Sequence, residues 1–366
     1  MTRKKKLVLL SSAALAIAAA AAMYGPITRM LAFKTPRYET GIAFKGADSC
    51  KRCHRAIYDE WRASGSARAT QDPYMHLVLA RQPYFPNRMM LGEPCYACHG
   101  PKALDEGISC EVCHGINDRD DVMEVHRRKY ALNLDQIRRP EACAACHEAI
   151  HPLTNEPIIT TFAEWKSSQA ARQGIGCVDC HMKRDATGHV YHGGGSRRVD
   201  PSVYRDVVEV KNLKYGRAGF TVEIENKITG HYLPTGGPEP ALLMELALND
   251  KDGRTLHTFE AAFQRKSRPV MAFPGHTVSD NRLRDGETRT LEFQVPAGLV
   301  DEPASVLVTL RFLDIDFVDV GDIKKARGPS PKFYEKRFAL PGSTEPGASE
   351  PATDTTTAAL LRSRGP

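Results

Sequence analysis

The residues of this chain that could carry chemistry lie in one pattern of cysteine and histidine, which occurs five times. Each copy has two cysteines separated by two residues and followed directly by a histidine, and the copies use all ten cysteines of the 366-residue chain. The cysteines are Cys50, Cys53, Cys95, Cys98, Cys110, Cys113, Cys143, Cys146, Cys177 and Cys180. A disulfide framework, a set of zinc knuckles or redox cysteine pairs would not require a histidine after every second cysteine.

The spacing within each copy is that of a c-type haem attachment site. Two cysteines three positions apart lie on neighbouring positions of one helical turn, so both thiols can reach one porphyrin edge. The histidine that follows reaches the iron as the proximal ligand. The sequence therefore predicts five covalently bound haem c groups, and the predicted proximal ligands are His54, His99, His114, His147 and His181.

The second axial ligand of each iron decides what such a protein can do. An iron with histidine on both sides is closed and can only pass electrons, whereas an iron with one histidine can bind a substrate or a gas. The candidate distal ligands are His76, His126, His151, His189 and His231, with His192 as the alternative to His189. There are enough histidines for most irons to be closed, which predicts mostly bis-histidine haems.

The segment from residue 44 to residue 195 contains all five motifs and is short for so many haems. The number of residues available for each haem is too small to build an ordinary apolar core, so the porphyrins must form the core. We expect short helices around each motif and irregular chain between them. Glu60-Trp61 recurs in this region as Glu164-Trp165. We expect both tryptophans to pack against haem or protein.

The segment from residue 203 to residue 320 changes to a period of two. Apolar and polar residues alternate there in runs separated by turn dipeptides, which is typical of antiparallel strands. The apolar runs are Phe220, Val222 and Ile224; Leu242, Met244, Leu246 and Leu248; Leu291, Phe293 and Val295; and Val306, Val308, Leu310 and Phe312. The sequence predicts a two-domain α+β protein, a haem-packed, mostly helical or irregular domain followed by an antiparallel β-sandwich. Residues 328–366 are predicted to be a disordered tail.

The first 25 residues have the composition of a targeting segment. Basic residues at positions 3–6 precede an apolar, alanine-rich stretch, which fits either a cleaved signal peptide or a retained membrane anchor. Both alternatives place the rest of the chain in the periplasm or on the outer face of the cytoplasmic membrane. The formal net charge of +6 does not predict a nucleic-acid partner, because about ten haem propionates would offset it.

Several of these motifs together resemble a family of multihaem cytochromes related to the tetrahaem cytochrome c-554. The resemblance rests on the stretches 49–54 with Glu60-Trp61, 107–115, 164–182 and 189–194, and on the Gly-His-x-x-Pro-Thr-Gly segment 230–236. The last of these is similar to a signature in Ig-like β-domains appended to such cytochromes. The resemblance implies that His231 ligates a haem across the domain interface, and it favours His189 over His192.

Two departures from the family pattern bear on function. Ser66 stands where relatives often have a distal histidine, so one haem lacks a usual ligand or takes it from elsewhere, such as His76. The lysine-containing attachment motif of the related nitrite reductases is absent from the sequence. We expect an electron carrier between redox proteins, a quinol-oxidising membrane donor or a terminal acceptor. The alternative is an oxidoreductase with one open haem acting on a small nitrogen or sulfur species.

Overall fold

The computed structural model describes eleven stretches of the chain. They are residues 46–71, 98–100, 106–114, 137–151, 154–193, 204–216, 219–237, 240–270, 273–299, 303–314 and 332–340. Cys95, His76 and His126 lie outside these stretches, as does the predicted targeting segment 1–25. Within the described part of the chain, no helix is long and apolar enough to cross a membrane.

Short helices carry the described haem-attachment motifs, as the sequence predicts. In chain order they are α1 (Asp48–Lys51), α2 (Arg55–Ala63), α3 (Cys110–His114), α4 (Pro140–His147), α5 (Thr161–Ser167), α6 (Gln169–Arg172) and α7 (Cys177–His181). Helices of one or two turns are marginal on their own, so they depend on tertiary contacts for stability. The buried cluster in this region is correspondingly small, with Ala47, Trp61 and Ala67 packed against Tyr58 and Cys110.

The remaining described elements are mostly antiparallel strands. The strands are β1 (Ala149–Ile150), β2 (Pro157–Ile159), β3 (Val208–Gly216), β4 (Gly219–Asn226), β5 (Pro240–Asn249), β6 (Thr255–Val270), β7 (Phe273–Asp280), β8 (Thr288–Gln294), β9 (Ser305–Asp314) and β10 (Lys332–Ala339). Strands β1 and β2 pair with each other in the haem region. A five-stranded sheet has the order β10-β9-β5-β6-β7, and a three-stranded sheet has the order β3-β4-β8.

One apolar cluster contains residues of both larger sheets. The alternating residues of β4 point into it, with Val222 and Ile224 fully buried, and Leu246 on β5 is fully buried as well. The Phe220 ring on β4 lies 5.3 Å from the Phe259 ring on β6, which belongs to the other sheet. Strands with one buried face form because every second side chain leaves water, so the period-two pattern identified these strands correctly.

The turn signals were also correctly placed, but the predicted end of the β region was wrong. Gly253 connects β5 to β6 with φ +78°, and Gly286 precedes β8 with φ +65°, both in the left-handed region that glycine tolerates best. The prediction of a disordered tail from residue 328 fails at Lys332–Ala339, which forms β10 and pairs with β9. Phe333 is buried in the common apolar cluster, which explains why this segment is ordered.

Candidate haem-ligand sites

The first site is built from α3 and the segment that follows α7. His114, the last residue of α3, faces His192, and their ring centroids are 6.3 Å apart with the ring planes at 23°. Two imidazoles that bind one metal from opposite sides, each at a metal–nitrogen distance of about 2 Å, have centroids separated by about 6 Å. The spacing of His114 and His192 therefore fits a pair of axial ligands.

The second site repeats this geometry at the junction with the β region. His181, the last residue of α7, faces His231, with ring centroids 6.1 Å apart and ring planes at 18°. His231 lies in the segment between β4 and β5 that contains the Gly-His-x-x-Pro-Thr-Gly sequence. A residue of the β region is thereby brought opposite a proximal histidine of the haem region.

The hydrogen bonds of His192 and His231 leave Nε2 of each ring available for iron. The Nδ1–H of His192 donates to the Val190 carbonyl at 2.6 Å, and that of His231 donates to the Tyr232 carbonyl at 3.0 Å. His99 makes the same contact with the Ala69 carbonyl at 2.9 Å. A donated Nδ1 proton fixes the tautomer whose Nε2 carries the lone pair, which is the usual arrangement of histidine metal ligands.

Burial keeps the imidazoles of His114 and His181 neutral. Burial lowers the pKa of His114 to about 4, with further lowering by His192 and His54. Burial lowers the pKa of His181 to about 4 as well, and His231 and His147 add to this. A neutral ring is the form that binds iron, so the ring spacing of both pairs, the tautomers of His192 and His231 and the neutral state of His114 and His181 all fit haem c.

His189 has a different environment from the one that the family resemblance implies. Its Nε2 lies 2.8 Å from Glu60 Oε1, and the other oxygen of Glu60 accepts a hydrogen bond from the backbone N–H of His192 at 2.9 Å. Glu60 therefore holds both residues of this segment. The histidine whose ring faces His114 is His192.

His151 is fully buried, and both of its ring nitrogens are hydrogen-bonded. Nδ1 accepts from the Thr154 N–H at 3.2 Å, and Nε2 donates to the Val270 carbonyl at 3.2 Å. His151 lies four residues after His147, a spacing that would put both on one helical face if the helix continued. Helix α4 ends at His147 instead, and His151 follows the short strand β1.

Ser66, the residue at the position of a missing family ligand, lies in a tight backbone contact. Its carbonyl accepts a hydrogen bond from the Ile108 N–H at 2.9 Å. A Cβ added to Gly107, which has φ +62°, would lie 2.5 Å from that carbonyl oxygen. The Ser66 segment therefore packs against the chain that leads into the third motif, and Gly107 is needed for this close approach.

Thiol contacts bring different motifs together. Cys50 of the first motif lies close to Cys110 of the third, and Cys143 of the fourth lies close to Cys177 of the fifth. Cys146 of the fourth motif lies close to Cys98 of the second.

A buried charged network fixes the segment that contains His231. Glu164 on α5 forms an ion pair with Arg282, with Oε1 and Nη1 2.7 Å apart and both side chains almost fully buried. Arg282 also pairs with Asp280 at 2.7 Å. The second oxygen of Glu164 accepts from the Tyr232 N–H at 3.1 Å and from the Thr235 hydroxyl at 2.6 Å. Burial works to lower the pKa of Arg282, but Asp280 and Glu164 raise it overall.

The chain is similar to known multihaem cytochromes in part of its sequence and in its fold. Residues 49–115 match the family model of cytochrome c554 and c-prime. The fold is similar to that of a penta-haem cytochrome c552 from Thermochromatium tepidum, with a TM-score of 0.63 and 20% sequence identity over 81% of this chain and 99% of that chain. A Bacteroides uniformis β-glucuronidase matches with 12% identity and a TM-score of only 0.17, covering 37% of this chain and 13% of its own. No curated protein matches the chain. The chain is a multihaem c-type cytochrome that binds haem c.

Proposed function

We propose that this cytochrome relays electrons on the outer side of the cytoplasmic membrane through five mostly bis-histidine haems. The observation that carries the proposal is the pair of facing imidazoles, His114 with His192 and His181 with His231. An iron with both axial positions filled by histidine has no coordination site for a substrate. The arrangement therefore favours electron transfer over chemistry at the iron.

The axial residues have a defined task in this proposal. A bound haem c supplies an iron that accepts and releases one electron. His192 and His231 keep the two irons closed, and their Nδ1–H groups hold the rings in orientation through the carbonyls of Val190 and Tyr232. His189 has a supporting rather than a ligating role, because its Nε2 is engaged with Glu60.

The thiol contacts support an order for the relay. The first and third motifs are neighbours through Cys50 and Cys110, and the fourth and fifth are neighbours through Cys143 and Cys177. Cys113 of the third motif and Cys146 of the fourth lie in the same neighbourhood. We infer a path from the first motif through the third and fourth to the fifth. The second motif joins this path at the fourth.

Other features complete the proposed architecture. The count of five haems comes from the five motifs and is supported by the penta-haem relative. Residues 44–195 form the cytochrome domain, and the two sheets with their common apolar cluster form a β-sandwich from residue 203 to β10.

Residues 1–25 direct the chain across the membrane. The partners are redox proteins, a quinol-oxidising membrane donor or a terminal acceptor.

A reductive titration under carbon monoxide tests the proposal. Carbon monoxide binds ferrous haem only where an axial position is open. The protein is expected to take up about five electrons, and its Soret band is expected to be the same with and without the gas. A carbon monoxide-shifted band that accounts for about one haem would instead support an oxidoreductase with an open iron.

A further inference from the structure

We propose that the two Glu-Trp pairs, Glu60-Trp61 and Glu164-Trp165, are repeated positioning devices, each of which fixes both members of one facing histidine pair. The proposal rests on the proposed axial pairs and adds the residues that set their spacing. Glu60-Trp61 lies on α2 and Glu164-Trp165 lies on α5. Each helix is followed directly by a buried serine, Ser64 or Ser168.

The tryptophans hold the segments that lead into the proximal histidines. Trp61 Nε1 donates to the Ile108 carbonyl at 2.8 Å, and Trp165 Nε1 donates to the Ile175 carbonyl at 3.0 Å. Each isoleucine is two residues before the first cysteine of its motif, Cys110 or Cys177. The two contacts therefore occur at the same position relative to α3 and α7, the helices that end in His114 and His181.

The glutamates hold the segments that contain the distal histidines. Glu60 accepts a hydrogen bond from the backbone N–H of His192 itself at 2.9 Å. Glu164 accepts from the N–H of Tyr232, the residue after His231, at 3.1 Å, and from the Thr235 hydroxyl at 2.6 Å. In both devices a carboxylate on the same helix as the tryptophan contacts the backbone at or next to a distal histidine.

Each carboxylate is itself held in place by a second partner. Glu164 pairs with the buried Arg282 at 2.7 Å, and Glu60 lies 2.8 Å from His189 Nε2. Bonds to charged groups are among the stronger hydrogen bonds of proteins, so these contacts limit the movement of both carboxylates. The contacts give His189 and Arg282 equivalent functions in the two devices.

As a consequence, one helix contacts two segments that are distant from each other in the sequence. Adjacent residues of a helix point in different directions, so Glu60 can contact the His192 segment while Trp61 contacts the segment before Cys110. The same holds for Glu164 and Trp165. The separation of each histidine pair is set by one short rigid element rather than by the chain between the histidines.

The test compares Glu60→Leu with Glu60→Gln by electron paramagnetic resonance of the oxidised holoprotein, together with its haem content. Glu60→Leu removes the acceptor and is expected to bring a high-spin ferric signal from about one haem, with haem content unchanged. Glu60→Gln retains an acceptor oxygen and is expected to stay largely low-spin. Trp61→Phe, which keeps the ring and loses only the N–H, is expected to give a partial signal of the same kind.

Glu156→Leu is the matched control. Glu156 also bonds a histidine ring, His276 at 2.7 Å, and a backbone N–H, that of Thr277 at 2.6 Å, but it contacts neither facing pair. This variant is expected to keep the spin state of the parent protein. The same high-spin signal in Glu156→Leu, or an unchanged spectrum in both Glu60→Leu and Trp61→Phe, overturns the proposal.

A further variant separates this inference from the proposed function. His192→Ala removes the ring that faces His114. If it gives a high-spin haem while neither Glu60→Leu nor Trp61→Phe does, the axial pair stands and the positioning role is wrong. If His192→Ala leaves every haem low-spin, the axial pair itself is wrong. Should Glu60→Leu not accumulate, Glu60→Gln and Trp61→Phe decide, and a fully low-spin spectrum of Trp61→Phe then overturns the proposal.

Discussion

Replacing His231 with alanine is expected to turn about one haem of the oxidised protein from low spin to high spin. The His231 ring faces His181 at a centroid distance of 6.1 Å, and its Nδ1–H is bonded to the Tyr232 carbonyl, which leaves Nε2 available to an iron. Alanine removes this ligand and leaves His181 in place, so the haem remains attached. Electron paramagnetic resonance of the oxidised protein measures the change, and carbon monoxide binding to the reduced variant provides a second measurement.

Two histidine variants serve as controls for this result. His276→Ala removes an exposed histidine that pairs with Glu156, and it is expected to leave the spin state of every haem unchanged. His257→Ala removes a histidine of β6 whose ring packs against Phe259, outside both facing pairs, and it is also expected to keep a low-spin spectrum. A fully low-spin spectrum of His231→Ala would show that another residue supplies the sixth ligand opposite His181.

Replacing Arg282 with methionine is expected to lower the free energy of unfolding by about 3–5 kcal/mol. Arg282 is almost fully buried and bonds both Glu164 and Asp280, so its loss leaves two carboxylates near each other without their cation. The variant should also loosen the segment that contains His231, because Glu164 holds that segment through the Tyr232 N–H. Chemical denaturation followed by circular dichroism measures the stability.

Lys211→Met provides the comparison for Arg282→Met. Lys211 pairs with Glu225 at 2.9 Å on the face of the three-stranded sheet, in contact with solvent. Exposed pairs contribute little to stability because water and salt screen them, so the expected loss is much smaller. Equal losses of unfolding free energy in the two variants would contradict the view that the buried contacts of Arg282 link the haem region to the β region.

The β region was the part of the fold that the sequence predicted best. Leu242, Met244, Leu246 and Leu248 alternate with residues of the opposite face, and all four are fully buried in β5. Burial of one sheet face imposes this period on the sequence, so the pattern can be recognised without knowing the partner strands. Strand β10 was missed because it lies within a region rich in proline, serine and threonine. Its order depends on pairing with β9 and on the burial of Phe333 in the common apolar cluster.

Which histidines face His114 and His181 depends on contacts between residues far apart in the chain, and the sequence alone does not reveal these contacts. His189 and His192 are separated by two residues, and Glu60, far away in the chain, bonds the ring of the first and the backbone of the second. The ring nitrogens of His151 are likewise bonded by Thr154 and by the distant Val270, contacts that no local pattern indicates. The motif around His231 did single out this residue as a candidate, and its ring faces His181.

The most direct test of the electron-relay account is the electron paramagnetic resonance spectrum of the unaltered, fully oxidised protein. Closed bis-histidine irons give only low-spin ferric signals, and the near-parallel ring planes at His114 with His192 and at His181 with His231 indicate two such irons. The account predicts a spectrum that is entirely low-spin. A high-spin signal from about one haem or more would contradict it and would indicate an open iron at which a small molecule can react.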